Sequence, residues 1–416
     1  MRLLLIDREF PPNPHGGIGS YNLALARGLG QKGHSVIVLS CTTSDAPVAT
    51  DEPYGVLVRI PYRPPNGMLP RFARWIDAVV LGKRLTPYAL KLIARFEPDL
   101  IEFPSAGGYG YFLARYARGR TPATTRFHGT QGKVPTDPAA GAALRAELAR
   151  VGYGPARSRL ASLLNIPLWH LERGLMRLSH YVSCPSHFSQ DWLRREIGPD
   201  RPSLPLIRNG VYLDRSRLPS SAGPRPAATR TLTFVGRCSI PKGATVLARA
   251  VPRLLNGNPE ATVIFVGPCV DPRTTRILHA LADRHPDRVK ITGRLPHDQV
   301  LALLASSYAL VAPSFYEICP MVVLEAMALG VPAVAAGAGP MPEVVENGVS
   351  GLLFHPGDAE GLAQSLLDLL DSPGKQAEMA QACRSRFAEL YDMQVVMGQL
   401  EALYYRISHA GVQVQP

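Results

Sequence analysis

Short apolar runs, many of them β-branched, recur along the chain and alternate with stretches whose apolar positions repeat at helical spacing. In the first half these runs are Arg2–Asp7, Ser35–Ser40, Val56–Ile60, Asp99–Phe103, Thr124–Phe127 and Tyr181–Cys184. In the second half they are Thr231–Val235, Thr262–Val266, Val289–Thr292, Ala309–Ala312, Ala333–Ala335 and Leu352–Phe354. Runs that are apolar on both faces suit the central strands of a parallel sheet covered by helices on either side. Their alternation with helices predicts βαβ units, and hence two doubly wound α/β domains. Gly198–Arg208 and Pro219–Thr229 are rich in proline, glycine or alanine without a period, as loops and linkers are. The expected division lies near residue 200, giving an N-terminal domain over 1–200 and a C-terminal domain over 201–392. The tail Tyr391–Ile407 reads as a helix carrying the aromatics Tyr404 and Tyr405, and residues 393–416 are expected to return to the first domain. Two such domains facing a central cleft would hold ligands outside the carboxyl ends of their strands.

Composition narrows the class. Hydrophobic residues at 46% and charged residues at 19% exclude a disordered chain. The 37 glycines and 39 prolines follow no period, so they read as turns rather than a fibre. Cysteines at 41, 184, 238, 269, 319 and 383 form no C-x-x-C pair. Neither a zinc site nor a disulfide framework follows, and a reducing cytoplasm fits. The apolar start of MRLLLIDREF stops at Asp7 and reads as a buried strand rather than a signal peptide. No stretch approaches the ~18 apolar residues that a membrane span requires.

The net charge is +12, with basic residues crowded over Arg59–Arg95, Arg145–Arg177 and Arg194–Arg237. Such a surface suits a nucleotide, a phosphorylated acceptor or peripheral contact with an anionic membrane face. It equally suits a soluble basic protein that binds none of these. The absence of aromatic-interleaved basic motifs and of zinc-finger spacing argues against a nucleic-acid partner.

Four stretches carry candidate chemistry. His15-Gly16-Gly17-Ile18-Gly19-Ser20-Tyr21 follows the first strand and opens a helix, so its backbone can approach an anion at the helix start. It fails the dinucleotide fingerprint, since the third glycine and the acidic residue that closes a second strand are both missing. A turn that merely needs glycine is the plainer reading. Phe127-His128-Gly129-Thr130 places a histidine at a strand's carboxyl end, where it can point into the cleft, although alone such a histidine is more often structural. Phe234-Val235-Gly236-Arg237 followed by Lys242-Gly243 puts two cations in one glycine-framed loop, suited to a diphosphate. In Ser314–Pro332, Glu317 follows a strand, Pro320 fits a helix start and Glu325 sits in an otherwise apolar helix. A carboxylate there needs a partner, which a pair of sugar or ribose hydroxyls would supply.

Glu317 and Glu325 are separated by seven residues, and this spacing resembles the E-x7-E motif of the retaining glycosyltransferases of family four, which have the GT-B fold. The resemblance extends over Gly16-Gly17, the His128 turn, Ser186, Arg208-Asn209-Gly210-Val211, Gly236-Arg237 through Lys242-Gly243, and Pro342-Glu343-Val344 through Gly351-Leu352. It implies that Arg237 and Lys242 bind the donor diphosphate and stabilise it as it leaves. Glu317 would hold hydroxyls of the transferred sugar, and Glu325 the nucleoside ribose. Backbone groups at Arg294 and Leu295 would face the base, Gly16 and Gly17 the diphosphate, and His128 the sugar or acceptor. Cys319-Pro320 stands where family members often have Phe-Gly. Proline removes one N–H from the helix start, leaving those of Met321 and Val322 for the diphosphate.

The resemblance further implies retention of anomeric configuration by a front-face, ion-pair-like route without an enzyme nucleophile. No D-x-D triplet occurs, so the expected enzyme needs no metal and no cofactor beyond its UDP- or GDP-type sugar donor. The acceptor is left open by the sequence: a small natural product or thiol and a lipid or polysaccharide intermediate are all compatible, and the acceptor atom can be oxygen or sulfur. Its reading is expected from Gly107–Tyr111 and Thr130–Val151. Two alternatives remain at this stage: a sugar-nucleotide epimerase or phosphorylase of the same shape, and a non-enzymatic polyanion-binding protein. In the latter the E-x7-E helix would serve no purpose.

Overall fold

The computed structural model describes residues 1–11, 17–65, 73–154, 163–198, 203–213 and 230–409. Its strands are β1 (Arg2–Ile6), β2 (Ser35–Thr42), β3 (Val48–Glu52), β4 (Gly55–Pro61), β5 (Leu100–Pro104), β6 (Ala123–Arg126) and β7 (Tyr181–Ser183), then β8 (Thr231–Val235), β9 (Thr262–Val266), β10 (Val289–Gly293), β11 (Ala309–Ala312), β12 (Ala333–Ala336) and β13 (Gly351–Phe354). Its helices are α1 (Gly17–Gln31), α2 (Arg74–Phe96), α3 (Tyr111–Ala117), α4 (Pro138–Arg150), α5 (Ile166–Leu178), α6 (His187–Ile197) and α7 (Ala244–Gly257), then α8 (Pro272–Arg284), α9 (His297–Ser306), α10 (Met321–Ala328), α11 (Met341–Val344), α12 (Ala359–Leu370), α13 (Pro373–Leu390) and α14 (Met393–His409). All twelve runs expected to be strands are strands.

The chain divides into two compact units, one of Met1–Pro135, Ala156–Gly210 and Met393–Pro416, the other of Thr136–Pro155 and Val211–Asp392. In the first unit the described strands form one sheet in the order β3-β4-β2-β1-β5-β6-β7. Neighbours pair in parallel, apart from the antiparallel β3–β4 pair. β1 shows why the sheet is wound on both sides. Leu3 and Leu5 pack with Tyr21, Leu25 and Leu29 of α1 and with Met397, Leu400 and Leu403 of α14. Leu4 and Ile6 point to the opposite face, against Leu81 and Leu85 of α2 and Leu113 of α3. Alternate residues of one strand therefore bury into two separate cores. The final helix does return to the first unit, and its apolar stripe covers α1.

In the second unit the order is β10-β9-β8-β11-β12-β13, with every pairing parallel. Leu232, Phe234, Val263 and Phe265 pack beneath α7, α8 and α12. Leu310 and Ala312 face Val323, Leu324 and Met327 of α10 and Cys383 and Phe387 of α13. From β8 the chain runs to β9 on one side, while β11 lies on the other. The order reverses between β8 and β11, and in open α/β sheets ligands bind outside the carboxyl ends at such a reversal.

Two features differ from the expected division at residue 200. The chain from Ser203 to Ile207 still lies along β7, with Val182 N–H donating to Ser203 O (3.0 Å), Cys184 N–H to Pro205 O (2.9 Å) and Ile207 N–H to Cys184 O (2.8 Å). The fully buried Arg126 then binds Ile207 O, Arg208 O and Asn209 Oδ1 at 2.6–2.9 Å. These bonds hold the chain in the first unit as far as Gly210. Helix α4, expected in the first domain, belongs instead to the second unit. Ala143 and Leu144 join its core, Arg249 binds the buried Glu147 (2.8 Å), and Asp137 accepts from Gly339 N–H (3.0 Å). Among the described residues, no helix is long and apolar enough to cross a membrane.

Candidate active site

In the second unit the loop after β8 is shaped by backbone contacts that only glycine permits. Gly267 (φ +129°) ends β9, and a Cβ there would stand 2.0 Å from Gly236 O. Gly243 (φ +73°) precedes α7, and a Cβ there would stand 2.0 Å from Pro313 O. Phe315 N–H donates to Pro241 O (3.0 Å), tying the β8 loop to the loop after β11. This close packing delivers Lys242 to Glu317, with Nζ 2.6 Å from Oε1. Their side chains are 31% and 13% exposed, so the pair is partly shielded from water. Arg237 is exposed in the same loop and, among the described residues, makes no ion pair.

Glu325 comes from α10, where Val323, Leu324, Ala326 and Met327 are buried around it. Burial pushes its pKa up to about 8, because the apolar surroundings disfavour the charged form. His297, the first residue of α9, brings Nε2 to 3.8 Å from Glu325 Oε1. His297 directly follows Arg294-Leu295-Pro296, so the loop after β10 lies beside Glu325. Arg294 is exposed, and Leu295 is half-buried against the core that contains α10. Pro320 enters the helix through a tight turn (φ −79°, ψ 79°), in which Met321 N–H closes on Cys319 O at 2.9 Å. Of the two amides expected to face a diphosphate, that of Met321 is therefore already engaged by Cys319 O. Val322 is half-buried at the second helical position.

The other expected residues belong to the first unit. Gly16 lies outside the described residues. Gly17 is exposed at the start of α1. His128 N–H donates to Ser105 Oγ (3.0 Å), and its ring meets that of Tyr21 edge-on at 5.2 Å. Its Nε2 is buried with no hydrogen-bond partner among the described residues. Burial, with a contribution from Arg126, pushes its pKa down to about 3, so the imidazole is neutral. An unpaired buried ring nitrogen costs free energy unless a ligand meets it. Other residues of the resemblance are structural: Ser186 Oγ caps α6 by accepting from Ser189 N–H (3.1 Å), and Asn209 receives Arg126.

The structure thus brings Lys242, Glu317 and Glu325 to the strand ends of the second unit, with the loops of Arg237 and Arg294 around them. Sequence reasoning missed His297, whose only signal was its place in the first turn of a helix. It also missed Glu172, a buried carboxylate of α5 that accepts from three backbone amides.

The two units are both doubly wound, and in the second a cation and a carboxylate are paired at the strand-order reversal. Residues 15–215 match the family model for Glycosyltransferase Family 4, and residues 229–372 the model for Glycosyl transferases group 1. The glycogen synthase of Mycobacterium tuberculosis is 27% identical over 431 residues, covering 100% of this chain and 97% of that protein. A D-inositol 3-phosphate glycosyltransferase of Corynebacterium aurimucosum is 31% identical over 184 residues, 43% of this chain and 44% of that one. Sucrose-phosphate synthase from Thermosynechococcus elongatus superposes with a TM-score of 0.76 at 20% identity, over 98% of this chain and 99% of that chain. HepE of Anabaena, solved in complex with UDP, gives 0.66 at 20% identity, over 97% of this chain and 100% of that one. Two glycosyltransferase models thus match successive parts of the chain, which is a glycosyltransferase of GT-B fold and family-four type.

Proposed function

We propose that the protein transfers a sugar from a nucleoside-diphosphate donor, held by the second unit, to an acceptor held by the first, with retention of anomeric configuration. The 2.6 Å pairing of Lys242 with Glu317 at the reversal between β8 and β11 carries this reading. Lys242 and the exposed Arg237 neutralise the diphosphate as charge accumulates on it, which is the role a divalent metal plays elsewhere. The carboxylate that Lys242 orients accepts hydrogen bonds from hydroxyls of the transferred sugar. Glu325 meets the ribose hydroxyls, and the amides of Arg294 and Leu295 meet the base. The bond from C1 to the diphosphate oxygen breaks, and one from the acceptor oxygen forms on the same face. The acceptor proton passes to the departing diphosphate. His128, neutral and with Nε2 unpaired, is suited to a hydrogen bond with the sugar or acceptor. Relatives that act on or bind nucleotide sugars support this reading, among them HepE with UDP-glucose. Six cysteines that remain free thiols fit a reducing compartment.

A thermal-shift series with UDP, GDP, ADP and TDP in EDTA tests the proposal. The melting temperature rises with one of them, by mass action on the folded state. No rise with any of the four overturns it.

A further inference from the structure

Two cysteines stand opposite one another beside the cationic loop of the second unit. Cys238 directly follows Arg237 after β8, and Cys269 lies in the loop after β9. They form a parallel bridge, in which Cys238 N–H donates to Pro268 O (2.9 Å) and Val270 N–H to Cys238 O (3.4 Å). Opposite residues of a parallel pair present their side chains to the same face of the sheet. Cys238 Sγ lies 3.7 Å from Gly267 O, over the strand end that leads to Cys269. Burial, and then the neighbouring Cys269 thiol, pushes the Cys238 thiol up to about 12, so the two groups interact directly. Both are free thiols, Cys238 buried and Cys269 half-buried.

The spacing suits a covalent link. Paired strands run about 4.8 Å apart, inside the Cα separation of about 4.4–6.8 Å that a disulfide spans. A disulfide draws the Cβ atoms to about 3.5–4.5 Å, so closing it pulls the two loops together. Arg237 is placed to feel that pull. Gly236 N–H is bonded to Val266 O (2.9 Å) and Cys238 N–H to Pro268 O (2.9 Å). Arg237 is the single residue between those anchors. At the Gly236 end nothing can yield, since a Cβ on Gly267 would already stand 2.0 Å from Gly236 O. Movement of Cys238 therefore passes to Arg237.

The chemistry balances with a peroxide as oxidant. The half-buried Cys269 meets it first: its sulfur becomes a sulfenic acid, and one water leaves. The sulfur of Cys238 then attacks that sulfur, and its proton departs with the hydroxyl as a second water. The two thiols lose two electrons and two protons, and the peroxide O–O bond is reduced. A disulfide closed away from ideal geometry is readily reduced again, as redox-sensing pairs in reducing compartments are.

We propose that Cys238 and Cys269 are a site of reversible oxidation, and that the disulfide they form weakens nucleoside-diphosphate binding by shifting Arg237. The coupling to binding rests on the donor-site reading above; the disulfide itself does not.

The test treats the full chain with hydrogen peroxide, blocks remaining thiols with N-ethylmaleimide, and maps the digest by mass spectrometry. UDP and GDP affinity is measured by calorimetry before oxidation, after it, and after dithiothreitol. The expected results are a peptide linked through Cys238 and Cys269 and affinity lower by about tenfold, the low end for losing one charge-assisted contact, with both changes reversed by dithiothreitol. Cys319 is the other half-buried thiol, so Cys269→Ser, a change at a half-buried position, separates its oxidation from the bridge. That variant should keep its affinity through peroxide treatment. Cys238 and Cys269 both recovered as blocked thiols, or oxidised without a link, overturns the disulfide. A linked peptide with unchanged affinity, or a loss of affinity that persists in Cys269→Ser, overturns the coupling. Reduced protein that binds neither nucleotide overturns the donor-site reading and the coupling with it, while the linked peptide still decides the disulfide.

Discussion

Lys242 and Glu317 stand 75 residues apart in sequence and 2.6 Å apart in space. Their meeting follows from topology: β8 and β11 are hydrogen-bonded neighbours, so the loops that leave their carboxyl ends emerge side by side. The pair is partly shielded, and in the proposed reading a lysine held there would meet a diphosphate without having to reorganise. Lys242→Ala should lower kcat about 100- to 1,000-fold, the usual cost of one preorganised charge at a reacting centre. Glu317→Ala should lower it comparably, and the double variant should lose far less than the product of the two, because they act as one unit. Steady-state rates with circular dichroism as the fold control measure this. Near-normal turnover in either single variant contradicts the role given to the pair.

Three carboxyls are buried enough to hold their protons unusually long. Burial pushes Glu325 up to about 8 and Glu102 and Glu172 up to about 7, from an ordinary 4.5. In the window between those values the unfolded chain has released protons that the folded protein retains. The stability these groups contribute is complete below pH 4.5 and is lost as pH rises through the folded values. His128, held down at about 3, works the other way below its ordinary 6.5. A comparison with Glu325→Gln isolates one group. The variant should gain melting temperature on the wild type progressively from about pH 5 to pH 8. Curves that stay parallel over that range contradict the burial of Glu325.

Helix α4 is held in the second unit by Asp137, whose Oδ1 caps Ala140 N–H (2.8 Å) while Oδ2 accepts from Gly339 N–H (3.0 Å). Asp137→Ala removes both bonds. The expected cost is about 1–2 kcal/mol, roughly 2–8 °C for a unit of this size. An unchanged melting temperature by scanning calorimetry contradicts the docking of α4.

The sequence revealed most where a physical signal was local. Apolar runs such as Leu3–Ile6 and Ala309–Ala312 are buried on both faces, so their strands were readable from composition alone. β3 was not, because Val48–Glu52 is an exposed edge strand with no apolar pattern and only its antiparallel partner defines it. α4 was misplaced because an alanine-rich helix carries little information about which core it joins. The boundary fell late because backbone bonds to β7 and the reach of Arg126 hold 203–210, and neither leaves a compositional trace. Within the site, Glu325 was legible as a lone charge in an apolar helix. Glu172 was not, since α5 also carries His170, Arg173 and Arg177, among which a glutamate reads as surface. The engagement of the Met321 amide by Cys319 O depends on the turn at Pro320, which spacing cannot show.

The central claim is that the strand ends of the second unit hold a nucleoside diphosphate through two cations. Calorimetric titration of the wild type and of the Arg237→Ala/Lys242→Ala double variant with the best-binding nucleoside diphosphate tests this directly. The account predicts saturable one-to-one binding in the wild type and affinity at least about 100-fold weaker in the double variant, since each lost charge-assisted contact is worth about 1.5–3 kcal/mol. Equal affinity in the two proteins contradicts it.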